Sequence, residues 1–524
     1  MVYNTNMGSL DMPGRLQPGR NIARPENSCR GFGKGRPGPL MSLGTLAAAV
    51  AVSLASAYPG LASGKDLLGA YQDALRYDTQ IREAEATMQA AKEADPQAWS
   101  QLLPQLSGNY AISKQKQQED LLQGFPGANG TQVFPFHLTS FNKNHGYQLQ
   151  LTQSLFSWVN IQTLAQAHKK VAQADATYRA AQQDLINRVA TAYFNVLNAV
   201  DNLAAQQASL EALTSQLDQA NKRYQVGLIA ITDVKESQAA HDAQAAAVID
   251  AKRNLASMQQ ALRQITAQDY PDLSKPGDNM PLLTPQPADP TRWVSTSMDQ
   301  NLNLVSARLA ADVARDQVRI AFGGHLPSIE ITGTRSDQRA SIDEIQQFDD
   351  APSARLDGPT KSINSQIGIQ VTVPLFSGGL VQSQVHQAQY LWIAAKDHVD
   401  TVSRQTEASA RDAYDGVVSE VARVEALKQG VVSADTALKA TEAGAQVGTR
   451  TTVEVLQQRQ NLVTAQTNYA QARYTYLLDM IALRLAAGTL DEGTIKEING
   501  WLTVNQSTST SPVNQPTPTV PPQP

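Results

Sequence analysis

The sequence predicts a mainly α-helical fold with a small β part, in which long helices form an antiparallel coiled coil. Of its 524 residues, 42% are hydrophobic but only 6% are aromatic, which suits long helices packed through small side chains. A proline-free helical pattern runs from Val159 to Tyr224, and its roughly 65 residues would extend on the order of 100 Å. The turn Val226-Gly227 recurs as Val447-Gly448, which indicates an internal duplication.

Residues 1–57 are predicted to form a leader with a secretory signal peptide. Basic residues precede the apolar run Leu40–Ala57, which ends in Ala55-Ser56-Ala57, an order typical of signal peptides. A membrane anchor is the alternative for this run, and cleavage after Ala62 is a second possibility. The single cysteine, Cys29, lies in the leader, so we expect no disulfide and no cysteine-linked lipid in the exported chain.

The first structural repeat is predicted to span residues 58–280. It begins with a helix from Lys65 to about Glu93. Two strands are expected within 104–157, and the polar residues 115–145 between them predict a long exposed loop. After the long helix, a second helix is expected to return from about Ile231 to Ile265.

The second structural repeat, residues 292–502, follows a proline-rich linker at 281–291. We expect a helix from Arg292 to Phe322, two strands within 327–377, and then another pair of long helices. The tail 503–524 is rich in Ser, Thr, Pro and Gln, and this composition predicts disorder.

Apolar residues repeat every seven positions in both long helices, which predicts a coiled-coil seam. They are Leu203, Leu210, Leu217 and Tyr224 in the first repeat and Val424, Val431, Leu438 and Ala445 in the second. Gly227 and Gly448 suit left-handed helix C-caps, while Thr232-Asp233 and Thr451-Thr452 suit the N-caps of the returning helices. Each repeat is therefore expected to end in a helical hairpin with a tight tip.

Apolar and polar residues alternate in the predicted strands, as they do between lipid and a wet lumen. The residues predicted to face outer-membrane lipid are Tyr147, Leu149, Leu151, Ile367, Ile369 and Val371, and those predicted to face water are Gln148, Gln150, Gln370 and Thr372. Four strands are too few to close a membrane-spanning barrel. We therefore expect a transmembrane β-barrel shared between protomers, with four strands from each.

No arrangement of residues in the sequence predicts catalysis, a bound cofactor or a metal site. The seven histidines form no pair with metal-ligand spacing. The formal net charge of −5 argues against a nucleic-acid partner. We therefore predict a protein that is not an enzyme.

Several segments resemble the TolC family of outer-membrane channels over Lys65 to about Asn499. The segments that carry the resemblance are Leu102–Leu106, Leu151–Phe156, Thr191–Leu197, Val226–Val234 and Val447–Val455. The resemblance implies a homotrimer in the outer membrane whose β-barrel continues into a periplasmic α-helical tunnel. It also implies an exit duct for tripartite efflux or type I secretion, working with an inner-membrane transporter and a periplasmic adaptor protein.

The resemblance further implies the residues of a gate at the periplasmic end. Glu454 matches the first of two acidic positions that form a ring, but Gln457 stands at the second. Arg450 matches a tip arginine whose partners correspond to Thr232 and Asp233 of a neighbouring tip. Gln216 and Glu442 match a second linked pair, and Ala445 replaces the tip tyrosine. The residues expected to receive the adaptor are Val226, Gly227, Leu228, Val447, Gly448 and Thr449.

A second interpretation remains open from the residues alone. A periplasmic or surface coiled-coil scaffold, or an adhesin, could use similar helices with a soluble sheet and no pore. Such a scaffold would not need the Gln, Thr and Gly side chains on one face of the strands 147–152 and 367–373, so we favour the duct.

Overall fold

A computed structural model describes residues 65–127, 130–277, 280–348 and 351–503. The predicted leader (1–57) and all but the first residue of the predicted tail (503–524) lie outside these ranges. The helices are α1 Leu67–Tyr77, α2 Thr79–Lys92, α3 Ala94–Ser100, α4 Trp158–Gln225, α5 Ile231–Thr266, α6 Pro290–Gln300, α7 Leu302–Phe322, α8 Leu380–Gln446, α9 Thr452–Ala486 and α10 Glu492–Asn499. The strands are β1 Gln105–Gly127, β2 Gly130–Phe156, β3 Lys275–Pro276, β4 Ser328–Phe348, β5 Ala351–Thr372 and β6 Leu502–Thr503.

Two very long helices of nearly equal length dominate the fold, one in each predicted repeat. α4 has 68 residues and α8 has 67, so each extends on the order of 100 Å. Ser157 starts α4 by accepting a hydrogen bond from the backbone N–H of Asn160. α5 packs back along α4, and α9 packs back along α8. Each pair is a helical hairpin, which we call the first hairpin (α4–α5) and the second hairpin (α8–α9).

The two shorter predicted helices are each interrupted, which the sequence did not indicate. The helix expected from Lys65 to Glu93 is divided at Asp78, whose carboxylate caps α2 by accepting from the N–H of Ile81. Pro96 lies in the first turn of α3, where the helix leaves backbone N–H groups unpaired and the missing N–H of proline costs nothing. The helix expected from Arg292 to Phe322 is divided at Asn301, which caps α7.

The predicted loop at residues 115–145 is wrong, because these residues belong to β1 and β2. Lys116 pairs with Phe141, and Gln118 pairs with Thr139, in an unbroken antiparallel ladder. Side chains on both faces of this part of the hairpin are mostly exposed. Apolar and polar residues therefore do not alternate in this part of the sequence, and the strands could not be predicted from alternation.

The four long strands form one antiparallel sheet in the order β1-β2-β4-β5. The central pairing of β2 with β4 joins the two repeats. The outer strands β1 and β5 each have one unpaired side within the described chain.

The main core lies where the helices of the two repeats meet. Tyr193, Phe194 and Tyr476 are completely buried, and Phe194 stacks on Tyr474. The Tyr193 hydroxyl donates to the carbonyl of Ser274 at 2.8 Å, which places the β3–β6 ribbon against this core. Burial raises the pKa of Tyr193 well above the usual value for tyrosine, so the hydroxyl stays protonated and remains a donor.

In the part of the chain that the structure describes, no helix combines the length and the apolar character needed to cross a membrane.

Candidate functional site at the hairpin tips and the sheet

Both hairpin tips turn at a glycine in the left-handed conformation, as predicted. Gly227 has φ 75° and Gly448 has φ 79°, and residues other than glycine rarely adopt such positive φ angles. The N–H of Leu228 reaches back to the carbonyl of Arg223 at 2.9 Å, and the N–H of Thr449 reaches the carbonyl of Gly444 at 2.9 Å. These bonds satisfy carbonyls that the helix ends would otherwise leave unpaired.

The returning helices start differently, and one predicted cap is wrong. Thr451 caps α9 in a capping box, because its hydroxyl accepts from the N–H of Glu454 while the Glu454 carboxylate accepts from the N–H of Thr451. In α5 the N-cap is Ala230, which makes no side-chain cap. Thr232 and Asp233 instead lie inside the first turn of α5.

The tips present the predicted adaptor-binding residues to the outside. Val226 is 70% exposed, Leu228 69% and Val447 75%, and Thr449 is also exposed. A Cβ added to Gly227 or Gly448 would meet no atom within 4 Å. The space around both glycines is therefore open in the single chain, and binding of an adaptor there stays a prediction.

Glu454 and Arg450 bond to each other within one chain. The Arg450 guanidinium lies 3.2 Å from Oε1 of Glu454, and the N–H of Thr451 donates to Oε2 at 2.9 Å. The hydrogen bond from Thr451, supported by Arg450, holds the pKa of Glu454 below its usual value. A ring of like charges would shift this pKa in the opposite direction, but such a ring needs neighbouring protomers. Within the described chain Arg450 bonds to Glu454, and its predicted links to Thr232 and Asp233 of a neighbouring tip stay predictions.

Of the remaining predicted gate residues, Glu442 has a partner that the sequence did not suggest. Glu442 bonds to Arg459 of α9 at 2.5 Å, whereas Oε1 of Gln216 is buried with no hydrogen-bond partner among the described residues. Gln457 donates to Asn461 along α9. Arg459 was missed, although its spacing of four from Val455 and from Val463 places it on the same face of α9 as these two buried valines.

The sheet register places the six predicted lipid-facing residues on one face. Residues directly opposite each other in an antiparallel ladder share a face. Tyr147 lies opposite Tyr110, and Leu151 lies opposite Leu106 and Gly333. Further apolar residues on this face, which we call the apolar face, are Ile112, Ile329, Ile331 and Ile363.

The opposite face of the sheet is polar in every long strand. Residues on it include Ser107, Asn109, Gln148, Gln150, Thr332, Thr334, Gln370 and Thr372. We call this the polar face. The separation is incomplete on β4, because Arg335 lies opposite Leu149 and Asp337 lies opposite Tyr147 on the apolar face. Asp337 is within 4.0 Å of Arg339 and Lys361. The charged residues on the apolar face therefore cluster in the part of the sheet farther from the helices.

Comparisons with known proteins agree with this geometry. The family model "Outer membrane efflux protein" matches residues 70–268 and 293–489. Outer membrane protein TolC of Escherichia coli (strain K12) is 35% identical over 470 residues, covering 88% of this chain and 89% of that protein. Alkaline protease secretion protein AprF of Pseudomonas aeruginosa is 26% identical over 442 residues, covering 82% of this chain and 86% of that protein.

A solved structure shares the fold at low sequence identity. The Campylobacter jejuni CmeC outer membrane channel superposes with a TM-score of 0.63 at 19% identity, covering 83% of this chain and 90% of that one. Both halves of the duplication are matched by one family of channels, which disfavours the scaffold interpretation. The chain belongs to the outer membrane efflux protein family, and it is an outer-membrane protein that extends into the periplasm.

Proposed function

We propose that three copies of the chain form an outer-membrane exit duct for efflux or type I secretion. The observation that carries the proposal is the sheet, which has one apolar face, one polar face and two unpaired edges. Ile367 is 82% exposed, and Leu106, Ile112 and Ile369 are exposed as well. An apolar surface of this extent needs lipid or protein against it. Lipid outside and water inside would match the two faces.

The unpaired edges support a ring of copies. Unpaired backbone groups along long edge strands invite pairing with another chain. If β5 of one copy pairs with β1 of the next, the contact is head-to-tail, and such contacts close into a ring when the rotation between copies divides a full turn. Leu375 and Phe376, three and four residues after the end of β5, are 93% and 90% exposed, which supplies apolar surface for the same contact. The closed sheet would be a β-barrel with its polar face toward the lumen.

The long hairpins would continue this barrel as a helical tunnel into the periplasm. The duct would have no chemistry of its own, and an inner-membrane transporter would supply the energy and choose the cargo. A periplasmic adaptor would join the two at the hairpin tips, where small residues allow a partner helix to approach closely. The names of relatives such as AprF, a secretion protein, support export as the task.

Bulky substitutions at the tips test the proposed docking. Gly227→Trp and Gly448→Trp should abolish pump-dependent export, because each places an indole on the surface that receives the adaptor and strains a left-handed backbone. Detergent-resistant trimers should form normally. Gly430→Trp is the control, since a Cβ there also meets no atom within 4 Å but lies in α8, far from the turn. Export that persists in both tip variants would contradict docking at this surface.

A further inference from the structure

Arg459 is a charged side chain on a core-facing seam, between the buried Val455 and Val463. Its side chain is only 22% exposed. It faces two clefts, one of about 370 Å³ shared with α4 and α8 and one of about 340 Å³ shared with α4 and α5. The side chain therefore lies where the first and second hairpins of one protomer meet.

Near Arg459, one hydrogen-bond donor and one acceptor have no partner among the described residues. One of its terminal nitrogens, Nη2, binds Glu442 of α8, which joins the two helices of the second hairpin across 17 residues. Its Nε is buried without a hydrogen-bond partner among the described residues, and so is Oε1 of Gln216 on α4. Nε is a donor and Oε1 is an acceptor, and both residues line the larger cleft together with Glu442.

We propose that Arg459 is a gate-positioning residue that couples the two hairpins of a protomer. The guanidinium holds Glu442 within the second hairpin and is placed to donate to Gln216 of the first. Its planar fork can serve two acceptors at once, which a lysine ammonium does less well. A polar residue in a coiled-coil seam fixes register and partner at a cost in stability. The two hairpins then move together when the tips open.

The inference rests on the proposed duct and changes one expectation about its gate. Glu442 was expected to link with Gln216 directly. With Arg459 bound to Glu442, the link between these two positions passes through the guanidinium, and it lies within a protomer. Glu454 and Gln457 lie on α9 close to Arg459 but bond to Arg450 and Asn461 instead, so the acidic ring and the coupling are separate devices.

Recordings of the purified full-length assembly in planar bilayers test the coupling. Arg459→Gln should raise the resting open probability about tenfold, because a hydrogen bond to a charged group is lost in every protomer. Gln216→Leu should raise it as well, and Arg459→Lys should give an intermediate value. Lys222→Gln is the control, since Lys222 is an exposed cation near the tip whose pair with Asp218 is loose, at 3.5 Å. Equal open probability in wild type and Arg459→Gln would overturn the inference.

Two further experiments test the coupling separately from the proposed duct function: exchange of the two charges, and hydrogen exchange, which does not require a conducting channel. Glu442→Arg combined with Arg459→Glu should restore part of the closure that Arg459→Gln loses, whereas a merely structural arginine would gain nothing. Hydrogen exchange should become faster in Arg459→Gln on α4 near Gln216 as well as on α8 near Glu442. Faster exchange on the second hairpin alone would overturn the bridge to the first hairpin. This readout does not depend on conduction, so it tests the coupling separately, whereas the absence of any conductance in wild type and in all the gate variants would contradict the duct itself.

Discussion

At the level of single residues, buried carboxylates form ion pairs that link neighbouring helices. Asp78 binds Arg188 of α4 through both carboxylate oxygens, at 3.2 and 3.0 Å. Asp316 of α7 is completely buried and pairs with Lys169 of α4 at 2.5 Å. Removing one partner of such a pair leaves an uncompensated charge in a poorly solvated place. These contacts hold shorter helices in register on α4.

Replacing Asp78 tests how much one such pair contributes. Burial raises the pKa of Asp78, but bonds from Arg188 and from the N–H of Ile81 outweigh it, so the pKa lies below the usual value. Asp78→Ala should lower stability by about 1–3 kcal/mol, because it removes the cap of α2 and the bonds to Arg188, while Arg188 keeps its bond to Asp184. Because the folded-state pKa is depressed, the contribution is present above about pH 4 and is lost as pH falls through the folded-state pKa.

Thermal dissociation of the solubilised oligomer measures this effect. The control is Asp175→Ala, which removes an exposed pair with Arg179 and should cost about 0–1 kcal/mol. Equal losses from Asp78→Ala and Asp175→Ala would show that the buried pair contributes no more than an exposed one.

Arg450 and Glu454 are expected to affect closure and ion selectivity separately. Arg450→Ser should raise resting conductance by loosening the tips while cation preference persists. Glu454→Ala should lower cation preference and block by polyvalent cations, because it removes the acidic ring. With Gln457 at the second ring position, the wild-type block should be weaker than two acidic rings would give. Single-channel recordings distinguish these effects, and full cation preference in Glu454→Ala would place the ring elsewhere.

The pH dependence of that selectivity follows from the single chain. Thr451 and Arg450 hold the pKa of Glu454 below its usual value, so the carboxylate stays charged to a lower pH than an ordinary glutamate. Arg450→Ser should therefore move the loss of cation preference to a higher pH. Reversal potentials measured along a pH series check the direction, and a shift to lower pH would contradict it.

At the level of elements, the strands should distinguish their two faces. Leu149 lies on the apolar face and Gln150 on the polar face of β2. An arginine facing lipid at the bilayer midplane costs roughly 2–4 kcal/mol, while lumen positions tolerate it. Leu149→Arg should therefore lower the yield of assembled trimer, and Gln150→Arg should not. The adjacent Arg335 on the apolar face makes this a demanding test, and equal yields would reject the assignment of faces.

The elements also show what a single sequence can and cannot reveal. The tips were predictable because a tight turn needs a left-handed backbone, which glycine at 227 and 448 adopts easily. The strand at Tyr147–Leu151 was predictable because one of its faces is apolar. The outer parts of β1 and β2 were not predictable, because both of their faces are exposed and the sequence there shows no alternation of apolar and polar residues. The bond between Glu442 and Arg459 depends on which turn of α8 faces which turn of α9, and only the folded hairpin decides that.

At the level of the whole molecule, duplication explains why one chain supplies matched parts. Each repeat contributes two long strands to the sheet and one long hairpin, and β2 pairs with β4 to join them. The sheet nevertheless stays open at β1 and β5. We propose that further copies of the chain complete the sheet, which is the central claim of the proposed duct.

A cryo-electron microscopy reconstruction of the purified protein in lipid nanodiscs tests that claim most directly. We expect a threefold ring in which β5 of each copy pairs with β1 of the next. Ile367 and Ile369 should contact lipid, and Gln148 and Gln370 should line a water-filled lumen that opens into the helical tunnel. A particle whose β1 and β5 edges stay unpaired, or whose polar face is turned toward the lipid, would contradict the account.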